Sequence, residues 1–480
     1  MNIASVIEDH PRDAVAIIAN AEKVTYGQLR AQVAQLRGAL AQEGVSTGQK
    51  VMVVGENEHD FAVALLALLG LGAMVAPIRP RNPLPEIQRK VQAVEPDAIV
   101  WCHSAAELRD FEDDLLCGKF LAIDDLESAE AEPAPIADRD ADDLAFLLLT
   151  SGVTSDSKVA MLSHGNLDWI QQALTHDPET GINADSVALA VLPLTHIFGL
   201  NVVLFSNLRA GGTVVLQSQF DVAESFRLIR EHGVTAISGA PAMWQRFLHA
   251  DAPDDALGTI EHAAAGAAAL PIEIFNGIRD RFGVELAEGY GLTETSPVVT
   301  WSRGITTKPG SVGRPVPGVE VVLVEPDGTP VEQGDSGEIV VRSPGVFKGY
   351  LDAPELSETV LTEDGWFWTG DMGVFDADGY LYLVDRLKDI VIVRGFNVYP
   401  AEVETVLIEH PNVSGAIVVG TRDEADGERV VAHVSGTATE EELDTHCRER
   451  LSRYKCPREY HFVDELPVSN TGKKLRRALR

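Results

Sequence analysis

The segment LLLTSGVTSDSKVAMLSHG, residues 147–165, decides how the chain is interpreted, because an apolar run ends there in a turn rich in hydroxyl groups. Hydroxyls, backbone N–H groups and a lysine are groups that hold phosphate oxygens in a nest. Here they come from Thr150, Ser151, Gly152, Thr154 and Lys158. The segment lacks the G-x-x-x-x-G-K-[ST] pattern of a P-loop. Taken alone, it is more typical of a polar turn after a buried strand than of a phosphate site.

The charge of the chain narrows the classes of partner. Among 480 residues, 73 are acidic and 39 are basic, a formal net charge of -34. Such a field repels nucleic acid and anionic membrane surfaces, so neither is expected as a partner. It also repels ATP and coenzyme A at long range, so a site for either must concentrate basic groups and N–H donors locally. A hydrophobic content of 45% predicts a globular chain, and the length favours more than one domain.

Cysteine usage and the apolar segments indicate a cytoplasmic protein. No pair of cysteines has C-x-x-C spacing, which argues against a disulfide scaffold and a thiolate metal site. Cys102 is interpreted as structural despite its neighbour His103. The N-terminus lacks a basic segment followed by an apolar one, so no signal peptide is expected. The most apolar stretch, residues 61–77, is interrupted by glycine and too short to span a membrane; it predicts a buried helix leading into a strand.

The order of predicted elements indicates α/β architecture followed by α+β architecture. Strand and helix patterns alternate through the first part of the chain, which predicts largely parallel sheets with helices on their faces. A polar connector, residues 128–143, precedes the opening segment. From about Gly310, alternating strands with turn signals predict antiparallel hairpins. A small α+β pattern follows, so we predict a large N-terminal domain, residues 1–386, and a small mobile C-terminal domain, residues 387–480.

The segment EGYGLTETSP has groups suited to a nucleotide. Glycines on both sides of Tyr290 permit a tight backbone, and the tyrosine ring can lie against a flat base. Thr293 can hydrogen-bond a phosphate, and Glu294 can hold Mg²⁺, which prefers oxygen ligands shared with phosphates. The alternative is a loop with a helix cap.

Two later segments add polar groups. In WTGDMG, Asp371 can accept hydrogen bonds from both ribose hydroxyls, and Arg386 can reach the same sugar or a phosphate. The nearby DADG is interpreted only as a hairpin turn. Near the C-terminus, Gly472 frees the backbone before Lys473, although a basic tail in an acidic protein is commonly only a solvated end.

Taken together and in order, these motifs resemble the adenylate-forming superfamily of acyl-CoA synthetases, firefly luciferase and peptide-synthetase adenylation domains. The resemblance covers nearly the whole chain, and the ordered set is specific although each motif alone is weak. The matching segments are VTYGQL, TSGVTSDSKVAMLSHGNL, LPLTHIFGL, AAGAAAL, GYGLTETSP, GEIVVRSPGVFKGY, WFWTGDMG, VDRLKDIVIVRGFNVYPAEVE and NTGKKLRR.

The resemblance implies a ligase that uses ATP, Mg²⁺ and coenzyme A. A carboxylate would attack the α-phosphate of ATP to form an acyl adenylate and pyrophosphate, and a thiol would then displace AMP. It implies Lys473 as the catalytic lysine, with Lys474 as the alternative in register, and rotation of the C-terminal domain about Lys388. The other implied roles are phosphate binding by Thr150 and Thr293, magnesium binding by Glu294, ribose binding by Asp371 and Arg386, an adenine site at Gly266, Ala267, Glu288, Gly289, Tyr290 and Gly291, and a pantetheine tunnel at Gly395 and His196.

The acid itself is predicted to be apolar. The segments expected to form the wall are apolar with small residues, and no aspartate near His196 stands ready to pair with an α-amino group. This favours a fatty acid of medium or longer chain, and an aryl acid is nearly as compatible. Each buried methylene contributes only ~0.8 kcal/mol, so chain length depends on pocket depth.

The phosphate loop departs from the family pattern TSGTTGxPKG. Val153 replaces a hydroxyl residue, and Ser155, Ser157 and Val159 replace glycine, proline and glycine. A lost hydroxyl contact to a phosphate costs about 1.5–3 kcal/mol if nothing replaces it. The alternatives to a CoA ligase are therefore an acyl-AMP ligase that loads an acyl carrier protein, and a non-catalytic acyl- or nucleotide-binding protein. A luciferase-like oxygenase has no specific support.

Overall fold

The periodic apolar segments of the sequence form the strands and helices of the computed structural model, which describes residues 1–150, 158–386, 389–393, 396–423, 427–468 and 474–479. The chain divides into two compact units. The first contains Met1–Glu320 and Arg342–Phe367, and the second contains Val321–Val341 and Trp368–Arg480. The domain boundary between residues 386 and 387 stays a prediction.

The strands follow in chain order. They are β1 Val15–Ala19, β2 Glu22–Thr25, β3 Lys50–Val54, β4 Met74–Ile78, β5 Ala98–Trp101, β6 Phe120–Ala122, β7 Leu144–Thr150, β8 Lys158–Ser163, β9 Val187–Ala190, β10 Thr213–Leu216, β11 Ala236–Gly239, β12 His262–Ala265, β13 Leu286–Gly291, β14 Val298–Trp301, β15 Arg314–Pro315, β16 Glu320–Val324, β17 Gly337–Arg342, β18 Phe367–Phe375, β19 Leu381–Arg386, β20 Val391–Val393, β21 Phe396–Val398, β22 Val413–Asp423, β23 Gly427–Gly436 and β24 Glu459–Phe462.

The helices lie between them. The α-helices are α1 Tyr26–Gln42, α2 His59–Leu71, α3 Leu84–Val94, α4 Ile123–Ser128, α5 His164–His176, α6 Ser206–Ala210, α7 Val222–His232, α8 Pro241–His249, α9 Ile272–Phe282, α10 Pro354–Glu358, α11 Pro400–Ile408 and α12 Glu440–Arg450. Short 3₁₀ helices are Ile3–Ile7, His103–Asp114, Pro178–Thr180, Thr293–Thr295 and Arg476–Leu479, and Phe198–Phe205 is a π-helix.

The first unit contains two sheets with parallel cores. One has the strand order β6-β5-β3-β4-β7-β8, and its last pair, β7 and β8, is antiparallel. The other has the order β15-β14-β13-β12-β11-β9-β10-β1-β2. In it β13, β12, β11, β9, β10 and β1 run parallel, so their carboxyl ends meet at one edge. The α/β class predicted for this part is confirmed.

The apolar stretch at residues 61–77 forms the predicted buried helix and strand. All of α2 from Asp60 to Gly70 is buried, because small and branched apolar residues occupy every face of the helix. Gly72 ends the helix with a left-handed φ of 77°, a conformation that costs glycine little. In the described part of the chain, no helix combines the length and the apolar character needed to cross a membrane.

The second unit also contains two sheets. One has the order β16-β17-β18-β19, and the other has the order β21-β20-β23-β22 with β24 beside β23. Helices α11 and α12 pack on the second sheet around a core that includes Val403, Leu407 and Leu443. These elements confirm the predicted hairpins and the small α+β pattern.

Cys102 is structural, as predicted. Its side chain is 1% exposed, and burial raises the pKa of its thiol well above the ordinary value. The thiol therefore stays protonated and unreactive at neutral pH.

Candidate active site

Several predicted residues lie at the carboxyl edge of the larger sheet. His196 follows β9, Gly266 and Ala267 follow β12, and Tyr290 lies on β13. Because these strands are parallel and neighbours in the order β13-β12-β11-β9, the segments that leave them meet at one edge. Edges of this kind are where open α/β sheets bind ligands.

Glycines at this edge are required by close backbone approaches. A Cβ at Gly291 would lie 1.5 Å from the carbonyl oxygen of Pro297, and one at Gly289 would lie 2.9 Å from Cε3 of Trp301. A Cβ at Gly266 would lie 2.9 Å from Cε1 of Phe198. The tight backbone predicted around Tyr290 is therefore present, and β13 carries the tyrosine where a loop was the alternative.

Glu288 is a buried carboxyl group at the same edge. Glu288 is only 5% exposed, and its Oε1 atom has no hydrogen-bond partner among the described residues. Burial raises the pKa of Glu288 to about 7, against hydrogen bonds from the backbones of Leu270 and Gly310, which act in the opposite direction. The group therefore changes charge near neutral pH.

Glu294 lies in the 3₁₀ helix Thr293–Thr295 and is 8% exposed. The hydroxyl of Tyr350 donates a hydrogen bond of 2.9 Å to its Oε1. Among the described residues, no group of three or more His, Cys, Asp or Glu side chains is arranged to hold a metal ion. A single oriented carboxylate suits Mg²⁺, which completes its octahedral shell with phosphate oxygens and water.

The phosphate-loop segment closes a hairpin. Thr150 and Lys158 are paired residues of β7 and β8, and Thr150 Oγ1 donates a 3.4 Å hydrogen bond to the carbonyl of Lys158. The Lys158 ammonium lies over the Tyr350 ring, 4.9 Å from its centroid. Three further predicted phosphate contacts, Ser151, Gly152 and Thr154, lie outside the described residues.

Two residues that the sequence analysis did not select organise this unit. Tyr350 contacts both Glu294 and Lys158. Asn57 follows β3 and bonds to the carbonyls of Ala190 and Leu192 and to the N–H of Leu194, which orders the segment leading to His196. Tyr350 and Asn57 are both far in sequence from the residues they contact, so no local motif indicates these contacts.

In the second unit, two predicted ribose-binding residues are neighbours. Asp371 and Arg386 are directly opposed in the antiparallel pair β18–β19, although the side chain of Arg386 is not among those described. Asp371 is 6% exposed, and Glu338 beside it accepts a 3.0 Å hydrogen bond from the N–H of Gly370. Burial, and then the charge of Asp371, raises the pKa of Glu338.

The C-terminal segment is anchored by an ionic cluster within the second unit. The Lys474 ammonium pairs with Glu404, whose carboxylate also accepts bonds from Arg476 at 2.9 Å and from the N–H of Val418 at 2.8 Å. Arg476 lies 3.5 Å from Asp389 as well. Lys474 is thus held in a structural contact with Glu404. The predicted Lys473, Lys388 and Gly395 lie outside the described residues.

Comparison with known proteins extends across the chain. The family model for AMP-binding enzymes matches residues 4–351, and that for the AMP-binding enzyme C-terminal domain matches residues 402–473. A feruloyl-CoA synthase of Amycolatopsis sp is 36% identical over 481 residues, covering 97% of this chain and 95% of that protein. A long-chain-fatty-acid–CoA ligase of Bacillus subtilis is 38% identical over 350 residues, covering 70% and 61%. The structure of ATP-bound MatB from Rhodopseudomonas palustris has a TM-score of 0.93 at 30% identity, covering 100% of this chain and 98% of that one.

Proposed function

Because the chain belongs to the family of AMP-binding enzymes, we propose that it joins an aromatic carboxylic acid to coenzyme A through an acyl adenylate. It is an acid–thiol ligase, and it uses ATP, Mg²⁺ and coenzyme A. The observation that carries the choice of acid is the similarity to a feruloyl-CoA synthase over 97% of the chain.

The reaction has two steps. A carboxylate oxygen of the acid attacks the α-phosphorus of ATP, the bond to the bridging β-phosphate oxygen breaks, and pyrophosphate leaves. The sulfur of coenzyme A then attacks the acyl carbon, its proton passes to solvent, and AMP leaves with the bonding electron pair. The chain contributes position and charge in the first step rather than a covalent bond.

The described residues support a division of tasks in the first unit. Glu294 would hold Mg²⁺, which when bound neutralises phosphate charge, while Thr293, Thr150 and Lys158 would face the phosphates. Tyr290 would lie against the flat adenine, and the glycines on both sides of it allow the close backbone packing that holds its strand. The tasks assigned to Lys473, Asp371, Arg386, Lys388, Gly395 and His196 stay predictions from the family resemblance.

The proposed acid differs from the fatty acid that the sequence analysis favoured. The apolar walls are compatible with both acids, and the Phe198 ring against Gly266 adds a flat surface near His196. The similarity over 97% of the chain to a relative named for feruloyl-CoA supports the aromatic acid. A fatty acid is the second candidate, because a relative named for long-chain fatty acids is 38% identical over 70% of the chain.

A pyrophosphate-release screen tests the proposal. Purified protein receives MgATP with ferulate, 4-coumarate, benzoate, octanoate or palmitate, each with and without coenzyme A. We expect the highest kcat/KM with a hydroxycinnamate and a thioester product only with coenzyme A. Preference for palmitate would establish the second candidate. Adenylate without thioester would indicate a carrier-protein acceptor, and no release with any acid would contradict the ligase assignment.

A further inference from the structure

Tyr350 connects two groups that the proposed function assigns to the nucleotide phosphates, Glu294 through Mg²⁺ and Lys158 directly. Its hydroxyl donates to Glu294 Oε1 at 2.9 Å, and its ring lies beneath the Lys158 ammonium at 4.9 Å. The residue is 5% exposed, and its hydrogen bond to Glu294 is buried, whereas Lys158 is partly exposed. One buried side chain therefore touches the carboxylate assigned to Mg²⁺ and the cation that follows the phosphate loop.

The backbone holds Tyr350 in this position by pairing it with β8. The N–H of Lys348 donates to the carbonyl of Met161, and the N–H of Leu351 donates to the carbonyl of Val159, both at 2.8 Å. The Tyr350 N–H is bonded to the Ser357 hydroxyl at 2.8 Å. The segment containing Tyr350 thus extends the sheet edge from which Lys158 projects, so the tyrosine and the lysine share one rigid support.

The same segment is also tied to the Glu294 side. The N–H of Phe347 donates to the carbonyl of Glu294 at 2.9 Å, and the Ser296 hydroxyl donates to the carbonyl of Gly345 at 2.8 Å. Asn166 bonds to two further carbonyls of the segment, those of Pro344 and Val346. The segment therefore contacts Glu294 twice, through the Phe347 N–H at its backbone carbonyl and through the Tyr350 hydroxyl at its carboxylate.

The chemistry of the contact follows from the charge of the partner. A neutral hydroxyl orients a carboxylate without cancelling its negative charge, so the carboxylate can still attract a cation. Groups that hydrogen-bond a metal ligand fix its orientation, and their loss typically weakens metal binding about 10–100-fold. The ring face adds a weaker attraction for the ammonium of Lys158.

We propose that Tyr350 is a positioning residue for adenylate formation: its hydroxyl aims Glu294 at the nucleotide-bound metal, and its ring holds Lys158 beside the phosphates. This inference rests on the proposed function, in which Glu294 binds Mg²⁺. It assigns to the segment 344–351 the task of setting the spacing between the metal and the lysine.

Direct metal binding tests the inference without any acid substrate. Mn²⁺ replaces Mg²⁺, the α,β-methylene analogue of ATP replaces ATP, and bound Mn²⁺ is followed by electron paramagnetic resonance. Tyr350→Phe keeps the ring and removes the hydroxyl, and we expect it to weaken Mn²⁺ binding in the ternary complex about 10–100-fold. Tyr350→Leu removes the ring as well, and we expect a further loss of about two- to fivefold in affinity for the analogue.

The matched control is Tyr26→Phe. Tyr26 is also fully buried, and its hydroxyl donates to the carbonyls of Gly212 and Leu208. This variant should lose stability and bind Mn²⁺ like the unchanged protein. Equal Mn²⁺ binding by Tyr350→Phe and the unchanged protein would overturn the inference. Equal weakening of Mn²⁺ binding in Tyr350→Phe and Tyr26→Phe would also overturn it. Equal affinities of Tyr350→Phe and Tyr350→Leu for the ATP analogue would contradict the proposal that the Tyr350 ring positions Lys158.

The activity readout separates this inference from the proposed function. In acid-dependent pyrophosphate release, Tyr350→Phe should need about 10–100-fold more Mg²⁺ for half-maximal rate, and thioester formation from supplied acyl adenylate should be unchanged. If the unchanged protein binds Mn²⁺ and the ATP analogue but activates no acid, the ligase assignment fails and the binding result still decides the role of Tyr350. If the unchanged protein binds no Mn²⁺, the inference fails together with the metal role of Glu294.

Discussion

Glu294 in the first unit and Glu404 in the second are both buried carboxylates, at 8% and 3% exposure, but their surroundings differ in charge. Glu294 receives a hydrogen bond from a neutral hydroxyl, and within the described residues it forms no ion pair. Glu404 is paired with Lys474 and with Arg476. The negative charge of Glu294 is therefore not neutralised by its hydrogen-bond donor, whereas the charge of Glu404 is neutralised by its two cationic partners.

Under the proposed function, this difference distinguishes a metal-binding carboxylate, Glu294, from a structural anchor, Glu404. A buried charge is tolerated only where something compensates it, and Glu404 has its compensation within the fold. For Glu294 the proposed compensation is Mg²⁺ with its nucleotide, which arrives with the substrate. Burial is therefore common to the two proposed roles, and the charge of the hydrogen-bond donors is the feature in which the two carboxylates differ.

The largest effect is expected at Lys473, the residue before the anchored Lys474. Lys473→Ala should lower the rate of adenylate formation about a thousandfold, because the ammonium that stabilises the transferring charge is lost. Conversion of supplied acyl adenylate to thioester should continue. Acid-dependent pyrophosphate release and thioester formation are measured separately.

Lys474→Ala is the matched control, since it removes the same charge one residue later. It should lower the thermal stability of the C-terminal unit by breaking the pair with Glu404 and reduce adenylation much less. The reverse result, with Lys474 essential and Lys473 dispensable, would move the catalytic assignment by one residue and undo the distinction between anchor and active group.

Exchanging each buried carboxylate for an amide tests the comparison itself. Glu294→Gln should reduce adenylation about 100-fold and raise the Mg²⁺ requirement while changing the thermal midpoint little. Glu404→Gln should lower the stability of the second unit by about 3 kcal/mol, because the partly solvated Lys474 loses its partner and Arg476 loses one of its partners. Calorimetry and pyrophosphate release are run on both variants.

The two carboxylates would prove equivalent if both variants lost stability equally. Donor charge would then carry no information about function in this chain. Loss of Mg²⁺ dependence in Glu404→Gln would likewise contradict the anchor role.

Sequence reasoning predicted the elements well because their signals are local. The apolar run that ends at Thr150 and the apolar stretch at residues 61–77 indicate a buried strand and a buried helix without any knowledge of the rest of the chain. Motif order also predicted which residues bind the nucleotide, and those assignments stay predictions. Thr293, Glu294 and Tyr290 are consecutive or nearly so, and their arrangement follows from one strand and one short helix.

The contacts that organise the site were not predictable in the same way. Tyr350 is 56 residues from Glu294, and nothing near it in sequence indicates a carboxylate partner. The anchoring of Lys474 also depends on a distant residue, since Glu404 lies 70 positions before it. That pairing is a property of packing, and a motif does not record it.

Glu288 provides an intermediate case, a buried carboxyl group held by backbone donors. The pKa of Glu288 is about 7 in the folded state and has the ordinary value of 4.5 in the unfolded chain. Between these pH values the carboxyl group keeps its proton in the folded state and loses it in the unfolded chain. The folded state then binds more protons between these values, so stability should fall by up to about 3 kcal/mol as pH rises through that window and level off above 7. Glu288→Gln should remove this slope.

Thermal midpoints of both proteins from pH 5 to 8 measure the slope. The variant should gain stability relative to the unchanged protein as pH rises and converge with it toward pH 5. Parallel curves would mean that Glu288 is ionised at all these pH values. The carboxyl group would then need a compensating charge, as Glu404 does.

The smallest expected effect concerns neutral hydroxyls in the phosphate loop, where Val153 replaces a hydroxyl residue. Val153→Thr should lower the KM for ATP by up to about tenfold, the equivalent of ~1.5 kcal/mol for one hydrogen bond to a charged phosphate. Thr150→Ala should raise the KM by a similar factor, and the double variant should fall between them. An unchanged KM in Val153→Thr would show that a hydroxyl at position 153 adds no contact to ATP. In that case ATP binding does not need the threonine that the family pattern has at position 153.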